Sequence, residues 1–412
     1  MFNSSLSAAI CLILAQPVLA HNPNVQPDSL TAVFADLKLL KAAALPVLYA
    51  DPATEVGYTV LSGAMEQKLS QMAHQNGRCG NYEALDKIPA DLATVKASIE
   101  TLYRIQSKDR VYSSLSKNFN PPVIKPAIAE ALLELKADNI KATVAWLSAF
   151  PTRYNRGTNP NTHVVEFYEK LNSLVAGVKF PVAVELIPHQ KTPQKSIRVT
   201  IRGSERPAEL VIFGGHLDSI NGWGSASKPA PGADDNASGS ASLLETLRVL
   251  LTQEQPKRTI EFYWYAGEES GLLGSAEIAE SYKNQKKNVI SVLQLDMTMF
   301  PGNGEFKIAS ITDFTSPWLR DYMKTLSAQY LNIEIFDDKC GYGCSDHASW
   351  YRRGFPAVFP TEAKFNSSFK DIHTEKDVIS PVMSFEHSLV FSKIALAMAL
   401  DLGNSNQKES DF

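Results

Sequence analysis

In the second half of the chain, short apolar runs alternate with segments in which apolar residues recur with helical spacing. The runs 208–215 and 288–297 are largely apolar, as buried strands are, whereas 196–203 alternates apolar with polar residues. The segments 238–253 and 271–285 have the spacing of amphipathic helices. Because strands that alternate with helices form parallel sheets, we predict an α/β fold whose mostly parallel mixed sheet is flanked by helices on both faces.

Residues 21–117 have a different pattern from the rest of the chain. They are rich in Ala, Leu and Lys, and segment 29–48 places apolar residues on roughly a helical repeat, which predicts helices. The polar, proline-interrupted stretch 116–126 is typical of a linker. We therefore expect a small helical N-terminal unit and then a single larger domain over 118–412, whose first helical segment breaks near 137–139.

The first 20 residues have the features of a secretory signal peptide. Their apolar centre spans 8–15, and the segment 18–20 offers a cleavage site. A membrane anchor is the alternative, but the apolar stretch is too short to span a bilayer as a helix. We therefore predict a signal peptide over 1–20, secretion of the chain, and His21 as the first residue after cleavage.

Composition and charge narrow the classes of partner. Of 412 residues, 44% are hydrophobic and 20% are charged, and the formal net charge is −4, which is typical of a soluble globular protein. A nucleic-acid-binding protein would need a basic patch or a high pI. We therefore expect no nucleic-acid partner. We also expect no stable membrane association and a monomeric chain.

Secretion would permit disulfides among the four cysteines of the sequence. Cys340 and Cys344 lie close together in CGYGC, where glycines let the backbone bend tightly. We predict a local disulfide between them rather than two buried thiols. Cys11 would be removed with the signal peptide, and Cys79 has no evident partner.

Polar residues that could carry chemistry directly follow three of the predicted strands. His216 and Asp218 follow the first, Glu268 and Glu269 the second, and Asp296 the third. In open α/β sheets, ligands bind outside the carboxyl ends of the strands. The sequence therefore predicts that these side chains meet at one edge of the sheet.

Each of these residues also has an ordinary interpretation. A single histidine at a strand end is more often structural, although Asp218 could orient His216 as a metal ligand. Two adjacent glutamates can belong to a solvated loop. Asp234 and Asp235 precede a helix that either could cap, but a carboxylate among small residues could also bridge two cations.

A second histidine is needed to complete a metal site. His347 and His373 are the candidates, and His373 is favoured because it lies on a polar loop after a strand. The remaining histidines lie away from the cluster or in ordinary surface contexts: His21, His74, His163, His189 and His387.

Two imidazoles with several carboxylates favour zinc, manganese or cobalt over calcium. Five ligands are too many for one tetrahedral ion but suit two ions that share a bridging carboxylate. Such a site hydrolyses amides or phosphate esters. The sequence has neither a G-x-S-x-G motif at a strand end nor an H-E-x-x-H motif.

Six motifs occur in order: GGHLDS, PGADDNASG, AGEESGLLGS, LQLDM, CGYGCSDHASW and IHTEKD. Together, over residues 138–402, they resemble the M28 family of co-catalytic zinc peptidases, and within it the secreted bacterial leucyl aminopeptidases. The resemblance implies a zinc exopeptidase fold, two zinc ions per chain and peptide substrates with a free N-terminus. It also implies that 21–117 is a propeptide that assists folding or blocks the site.

The resemblance assigns roles to residues of this sequence. It implies five metal ligands: His216, Asp234, Glu269, Asp296 and His373. Asp234 would bridge the ions, one of which would also take His216 and Asp296, and the other Glu269 and His373. Glu268 would be the general base that activates a metal-bridging water.

Other residues would act around the ions. Tyr342 corresponds to a hydroxyl that stabilises the oxyanion, and Asp218 to the partner that orients His216. Asp346 and His347 correspond to a pair that supports the ligands without binding the ions. Four residues would line the side-chain pocket: Met297, Phe359, Phe365 and Ile372.

The apolar pocket favours a bulky hydrophobic N-terminal residue such as leucine. Thr361 stands where a larger apolar residue is expected, and Glu362 would favour a basic side chain if it pointed inward. The alternatives for function are a glutaminyl cyclase or carboxypeptidase on the same fold, or a non-catalytic peptide-binding protein. The cyclase-type relatives lack the first histidine ligand, and non-catalytic relatives lose ligands or the base, whereas His216 and Glu268 are both present here.

Overall fold

The computed structural model describes residues 30–75, 82–85, 87–103, 122–223, 226, 228–302 and 308–405. The predicted signal peptide, His21, Cys11, Cys79 and much of the predicted linker lie outside these ranges. The helices are α1 (Leu37–Ala42), α2 (Gly63–Gln75), α3 (Leu92–Tyr103), α4 (Pro126–Leu132), α5 (Ala137–Ser148), α6 (Thr162–Val175), α7 (Gly239–Leu250), α8 (Leu273–Asn284), α9 (Pro317–Leu331), α10 (His347–Arg352) and α11 (Phe385–Asn404). The strands are β1 (Thr31–Asp36), β2 (Tyr49–Asp51), β3 (Val56–Leu61), β4 (Tyr82–Ala84), β5 (Val182–Ile187), β6 (Ser196–Ile201), β7 (Arg206–His216), β8 (Arg258–Tyr265), β9 (Asn288–Gln294), β10 (Ile308–Ile311), β11 (Ile335–Asp338), β12 (Ala357–Val358) and β13 (Pro360–Thr361).

The described residues between 30 and 103 form a domain around a four-stranded antiparallel sheet in the order β2-β3-β1-β4, so the prediction of a helical unit is wrong. The segment predicted as one helix forms β1 and the short α1 instead. In β1, Ala32 and Phe34 pack into one apolar cluster, and Val33 and Ala35 into another. Successive side chains of a strand point to opposite faces, so this run buries both faces of the sheet.

The larger domain is built on a six-stranded mixed sheet in the order β12-β9-β7-β8-β6-β5. The strands β12, β9, β7 and β8 pair in parallel, and β6 and β5 continue the sheet antiparallel. The predicted mostly parallel mixed sheet is therefore confirmed. A separate three-stranded sheet has the order β11-β10-β13.

Helices cover both faces of the six-stranded sheet because successive residues of its central strands, which point to opposite faces, are apolar. Val211 and Phe213 of β7 belong to a core shared with α5, α6, α7 and α11, while Leu210 and Ile212 pack with α8 and α10. The predicted break in the first helical segment lies between α4 and α5, slightly before the expected position. Within the described ranges, none of the helices combines the length and apolar character that crossing a membrane requires.

Arg153, in the loop after α5, is a buried cation that binds backbone carbonyl groups. Its guanidinium donates hydrogen bonds to the carbonyl oxygens of Leu147, Leu217, Pro231 and Gly232. These carbonyls belong to the end of α5, to the segment after β7 and to the loop before α7. Arg153 therefore ties together three segments that support the strand ends.

We expect Arg153→Met to lower the free energy of unfolding by at least about 3 kcal/mol, since each buried carbonyl that loses its donor costs roughly 1–3 kcal/mol. Chemical denaturation followed by circular dichroism would measure the loss. Arg202→Met, at an exposed position, is the control and should change stability by less than about 0.5 kcal/mol. Equal stability of the two variants would contradict the role of Arg153.

Candidate functional site

The parallel strands β7, β8 and β9 deliver polar side chains to one edge of the sheet. His216 ends β7 beside Tyr265, the last residue of β8. Glu268 and Glu269 follow β8, and Asp296 follows β9. Nε2 of His216 lies 3.4 Å from Oδ1 of Asp296, so the convergence expected at this edge occurs.

A single carboxylate joins the two histidines, and it belongs to Asp235. Its Oδ1 lies 3.1 Å from Nε2 of His216, and its Oδ2 lies 2.8 Å from Nε2 of His373. Burial alone would raise the pKa of Asp235, but hydrogen bonds with both histidines hold this pKa below its usual range. The prediction that Asp234 occupies the bridging position is therefore wrong by one residue.

Asp234 points to the other side of its loop. Its Oδ1 accepts a hydrogen bond from the backbone N–H of Met299, and its carboxyl group shares a hydrogen bond with Glu362. Burial and the charge of Glu362 raise the pKa of Asp234 well above its ordinary value. The carboxylate of Asp377 accepts hydrogen bonds from the backbone N–H groups of Asp234 and Asp235, at 2.8 and 3.0 Å. This contact fixes a turn from which the two side chains diverge.

One carboxylate holds the turn that carries the adjacent Glu268 and Glu269. The turn starts at Gly267, whose φ is 64°. The backbone N–H groups of Glu268 and Glu269 donate to Oδ1 and Oδ2 of Asp218, at 3.1 and 3.3 Å. Asp218 Oδ1 also lies 3.5 Å from Nδ1 of His216. Asp218 therefore contacts both a candidate ligand and the turn of the candidate base.

Several carboxylate oxygens at this edge are buried and, among the described residues, have no hydrogen-bond partner: both oxygens of Glu268, Oε1 of Glu269 and Oδ1 of Asp296. Burial raises the pKa of Glu268 and of Glu269 well above their ordinary values. An ionised carboxylate in such surroundings costs roughly several kcal/mol unless a cation compensates it. The arrangement is therefore that of a cation site.

The donor atoms form two sets that share Asp235. One set comprises His216, Asp235 and Asp296, and the other comprises His373, Asp235 and Glu269. Within the sets the nitrogen-to-oxygen distances are 2.8–3.6 Å. Ligands of a tetrahedral zinc ion with bonds of about 2.0 Å lie roughly 3.3 Å apart. The residues therefore fit two ions joined by one carboxylate.

Comparison with known proteins identifies the family. Residues 196–409, more than half of the chain, match the model of peptidase family M28. The chain belongs to peptidase family M28. This M28 peptidase is 36% identical over 322 residues to leucine aminopeptidase 1 of Pyrenophora tritici-repentis, a match that covers 75% of this chain and 80% of that protein. It is 35% identical over 298 residues to a probable aminopeptidase of Saccharomyces cerevisiae, with 69% of this chain and 78% of that protein covered.

The fold of this M28 peptidase is also that of a solved structure. The crystal structure of the LapA aminopeptidase of Legionella pneumophila matches it with a TM-score of 0.76 and 24% identity, over 92% of this chain and 100% of that chain. The matched share of this chain is larger than the share that residues 118–412 alone make up. The likeness of fold therefore extends into the N-terminal domain.

Ser345, Asp346 and His347 form the segment beside Asp296. Ser345, which sequence reasoning missed, donates from Oγ to Oδ2 of Asp296 at 2.5 Å. Asp346 accepts a hydrogen bond from Gln294 at 3.1 Å, and burial raises the pKa of Asp346 to about 7. His347 hydrogen-bonds to a backbone carbonyl, and its ring packs on Phe359 with centroids 4.9 Å apart. His347 therefore supports the apolar wall described next.

A cavity of about 340 Å³ lies beside Asp296 in this M28 peptidase. Its walls include all four residues predicted for the pocket: Met297, Phe359, Phe365 and Ile372. Glu362 points away, because its carboxylate accepts hydrogen bonds from the backbone N–H groups of Phe300 and Phe369, at 2.7 and 3.0 Å. Glu362 therefore gives no reason to expect that the cavity prefers a basic side chain of the substrate.

The predicted disulfide between Cys340 and Cys344 is present. The loop that it closes carries Tyr342, and both Tyr342 and Cys344 line the cavity. The backbone N–H of Cys340 donates to Oδ2 of Asp313 at 2.9 Å, which anchors the start of the loop. The bridge therefore holds Tyr342 at the wall of the cavity.

His74, which sequence reasoning set aside, lies inside the site. It belongs to α2, 195 positions before Glu269, and its Nε2 lies 2.9 Å from Oε2 of Glu269. Its ring lies edge-on to that of His373, with centroids 4.3 Å apart. Burial and the neighbouring His373 lower the pKa of His74 to about 3, so the imidazole is neutral. The sequence held one signal: Glu66, Ser70 and His74 recur every four residues, a spacing that places them on one face of a helix. All three are buried in α2.

Proposed function

We propose that this chain is a secreted di-zinc aminopeptidase that releases bulky hydrophobic residues such as leucine from peptides with a free N-terminus. The observation that carries the proposal is the pair of ligand sets joined by Asp235, with Glu268 beside them and outside both. The names of the two related aminopeptidases support the same activity. Zinc bound by these sets would lower the pKa of water and polarise the peptide carbonyl.

Glu268 is the residue that would move the proton. Its buried carboxylate has no hydrogen-bond partner among the described residues and lies near Asp235 and Asp296 of the ligand sets. It would accept the proton of the attacking water and deliver it to the leaving amine. Tyr342 would donate a hydrogen bond to the oxyanion as it forms. Asp218 would keep Glu268 in place through its backbone N–H.

The cavity and the carboxylates support recognition of a free N-terminal residue. The apolar side chain of a substrate would be buried against Met297, Phe359 and Ile372 in the cavity wall, and this burial would stabilise the bound substrate. The free α-amine of the substrate would bind at the ligand sets, where carboxylate oxygens can accept its hydrogen bonds. Together these contacts would position the first peptide bond beside Glu268.

The N-terminal segments belong to the same proposal. Residues 1–20 would direct secretion, 21–117 would form a propeptide that is removed, and 118–412 would be the mature, monomeric catalytic domain. The division is supported by the separate sheet and apolar clusters of residues 30–103.

We expect the zinc-loaded chain, after removal of the propeptide, to hydrolyse leucine p-nitroanilide with a kcat/KM at least about tenfold higher than for the lysine or glutamate analogue. The apolar cavity is the reason. A chelator should abolish hydrolysis, and added zinc should restore it. The release of p-nitroaniline measures each rate.

Two other outcomes would count against the proposal. Faster cleavage of the lysine analogue would contradict the preference, and no hydrolysis of any analogue would contradict the aminopeptidase activity. A peptide that begins with glutamine is included in the panel, because its cyclisation without release of the residue would favour the glutaminyl cyclase alternative.

A further inference from the structure

His74 completes a set of four donors around one of the two ion positions. Its Nε2 lies 2.9 Å from Oε2 of Glu269, and Nε2 of His373 lies 3.6 Å from the same oxygen. Oδ2 of Asp235 lies 2.8 Å from Nε2 of His373. Donor atoms of His74, Glu269 and His373 all lie within 4.8 Å of one another, a spacing that one zinc ion with bonds of about 2.0 Å can bridge after small adjustments.

The second ring nitrogen of His74 is placed as in a metal-binding histidine. Nδ1 lies 2.6 Å from the backbone carbonyl oxygen of Ser70, an acceptor that places the ring proton on Nδ1. Nε2 is then left with its lone pair toward Glu269 and His373. A hydrogen bond from the far nitrogen to a carbonyl fixes the tautomer and the orientation of most histidine ligands.

We propose that His74 is a metal ligand supplied by the N-terminal domain, and that it closes one half of the metal centre in the full chain. The inference rests on the proposed function. With Asp235, Glu269 and His373, His74 makes four protein ligands, the number found in closed structural zinc sites, whereas catalytic sites keep one position open. The full chain would therefore hold both ions and yet exclude substrate from one of them.

Hydrogen bonds on both sides of His74 hold α2 and β4 against the turn that carries the catalytic glutamates. Oγ of Ser70 donates to the backbone carbonyl of Glu269 at 3.1 Å. The hydroxyl of Tyr82 donates to the backbone carbonyl of Ser270 at 2.7 Å. The N-terminal domain thus binds the same turn whose side chain His74 contacts.

Two glycines of the larger domain make room for this contact. A Cβ at Gly222 would lie 2.9 Å from the Cβ of His74. A Cβ at Gly271 would lie 2.6 Å from the ring of Tyr82. Both distances are too short for a real side chain, so the larger domain is shaped to receive α2 and β4 in this position.

The test compares the full chain with its His74→Ala variant, each loaded with cobalt, whose visible absorption reports the number and type of ligands. We expect the variant to have a changed cobalt spectrum, because one imidazole ligand is lost. We also expect it to bind acetohydroxamate, a small metal-binding probe, at least about tenfold more tightly, because the position is then permanently open.

Two further variants make the result decisive. Gln67→Ala, at an exposed position of the same helix, is the matched control and should leave both measurements unchanged. His74→Gln keeps the approximate size of the side chain and replaces the alanine variant if that one fails to fold. An unchanged cobalt spectrum, or a changed spectrum without tighter acetohydroxamate binding, would overturn the proposal.

Neither measurement requires catalysis, so the inference and the proposed function fail separately. A trimmed, zinc-loaded protein that hydrolyses no aminoacyl anilide would contradict the proposed function, whatever the cobalt spectra show. The other combination is also possible: the trimmed protein hydrolyses leucine p-nitroanilide, but the cobalt spectrum of the full chain does not change when His74 is replaced. That result would support the proposed function and overturn only the role of His74 as a ligand.

Discussion

Replacing Glu268 with glutamine should lower kcat by about a hundredfold to ten-thousandfold, while both ions stay bound. The size of the loss is that of a missing general base, since an amide of the same shape can neither accept nor deliver the proton. The ions should remain because Glu268 lies outside both ligand sets. Steady-state hydrolysis of leucine p-nitroanilide by the trimmed protein would measure kcat, and elemental analysis would measure the metal content.

A second buried glutamate provides the control for this variant. Glu261 of β8 is also buried and accepts hydrogen bonds from the hydroxyls of Tyr263 and Tyr282. Glu261→Gln removes a buried negative charge outside the ligand sets and should leave kcat within about threefold of the unmodified protein, a change below about 1 kcal/mol in the barrier. A Glu268→Gln variant with the same small effect would show that another group moves the proton.

Replacing Asp235 with asparagine should weaken zinc binding by more than about a hundredfold, whereas Asp234→Asn should leave it nearly unchanged. An amide cannot bridge two cations with two anionic oxygens, and the loss should exceed the roughly 10–100-fold effect of removing a residue that only orients a ligand. Asp234 instead shares its hydrogen bond with Glu362, where an asparagine amide can donate. Competition with a zinc-binding dye would measure the affinity of each variant.

The two aspartate variants are matched, because they make the same change at neighbouring buried positions. The reverse order of effects would restore the assignment made from the sequence. Equal and severe loss in both would mean that the turn itself collapses, and the far-ultraviolet circular dichroism of the variants would then differ from that of the unmodified protein.

The fold of the larger domain could be predicted because the period of apolar residues is a local property. The short apolar runs of β7 and β9 and the helical spacing of the segments between strands are both visible locally, and the parallel direction of β7, β8 and β9 sends His216, Glu269 and Asp296 to one edge. The disulfide followed from CGYGC, a motif whose residues lie close together in the sequence, whereas the four pocket residues followed from the resemblance to the M28 family. Only the disulfide could therefore be assigned from local sequence alone.

The assignments that were wrong or missed depend on partners far away in the sequence. Asp377, more than 140 positions after Asp234 and Asp235, determines which of the two side chains faces the histidines. His74 meets Glu269 across 195 positions. The strand β1 was predicted as helix because Ala and Leu favour helices, but its pairing with β3 and β4 outweighs that local preference.

Because of the carboxylate of Asp218, metal binding and the placement of Glu268 are hard to change separately. It lies against His216 of one ligand set and receives the backbone N–H groups of Glu268 and Glu269. A substitution that shifts Asp218 would therefore change the proposed metal ligand His216 and the proposed base Glu268 together. Anyone who engineers this site for another metal or substrate should expect non-additive effects between changes at 216, 218 and 268, and should vary these positions in combination.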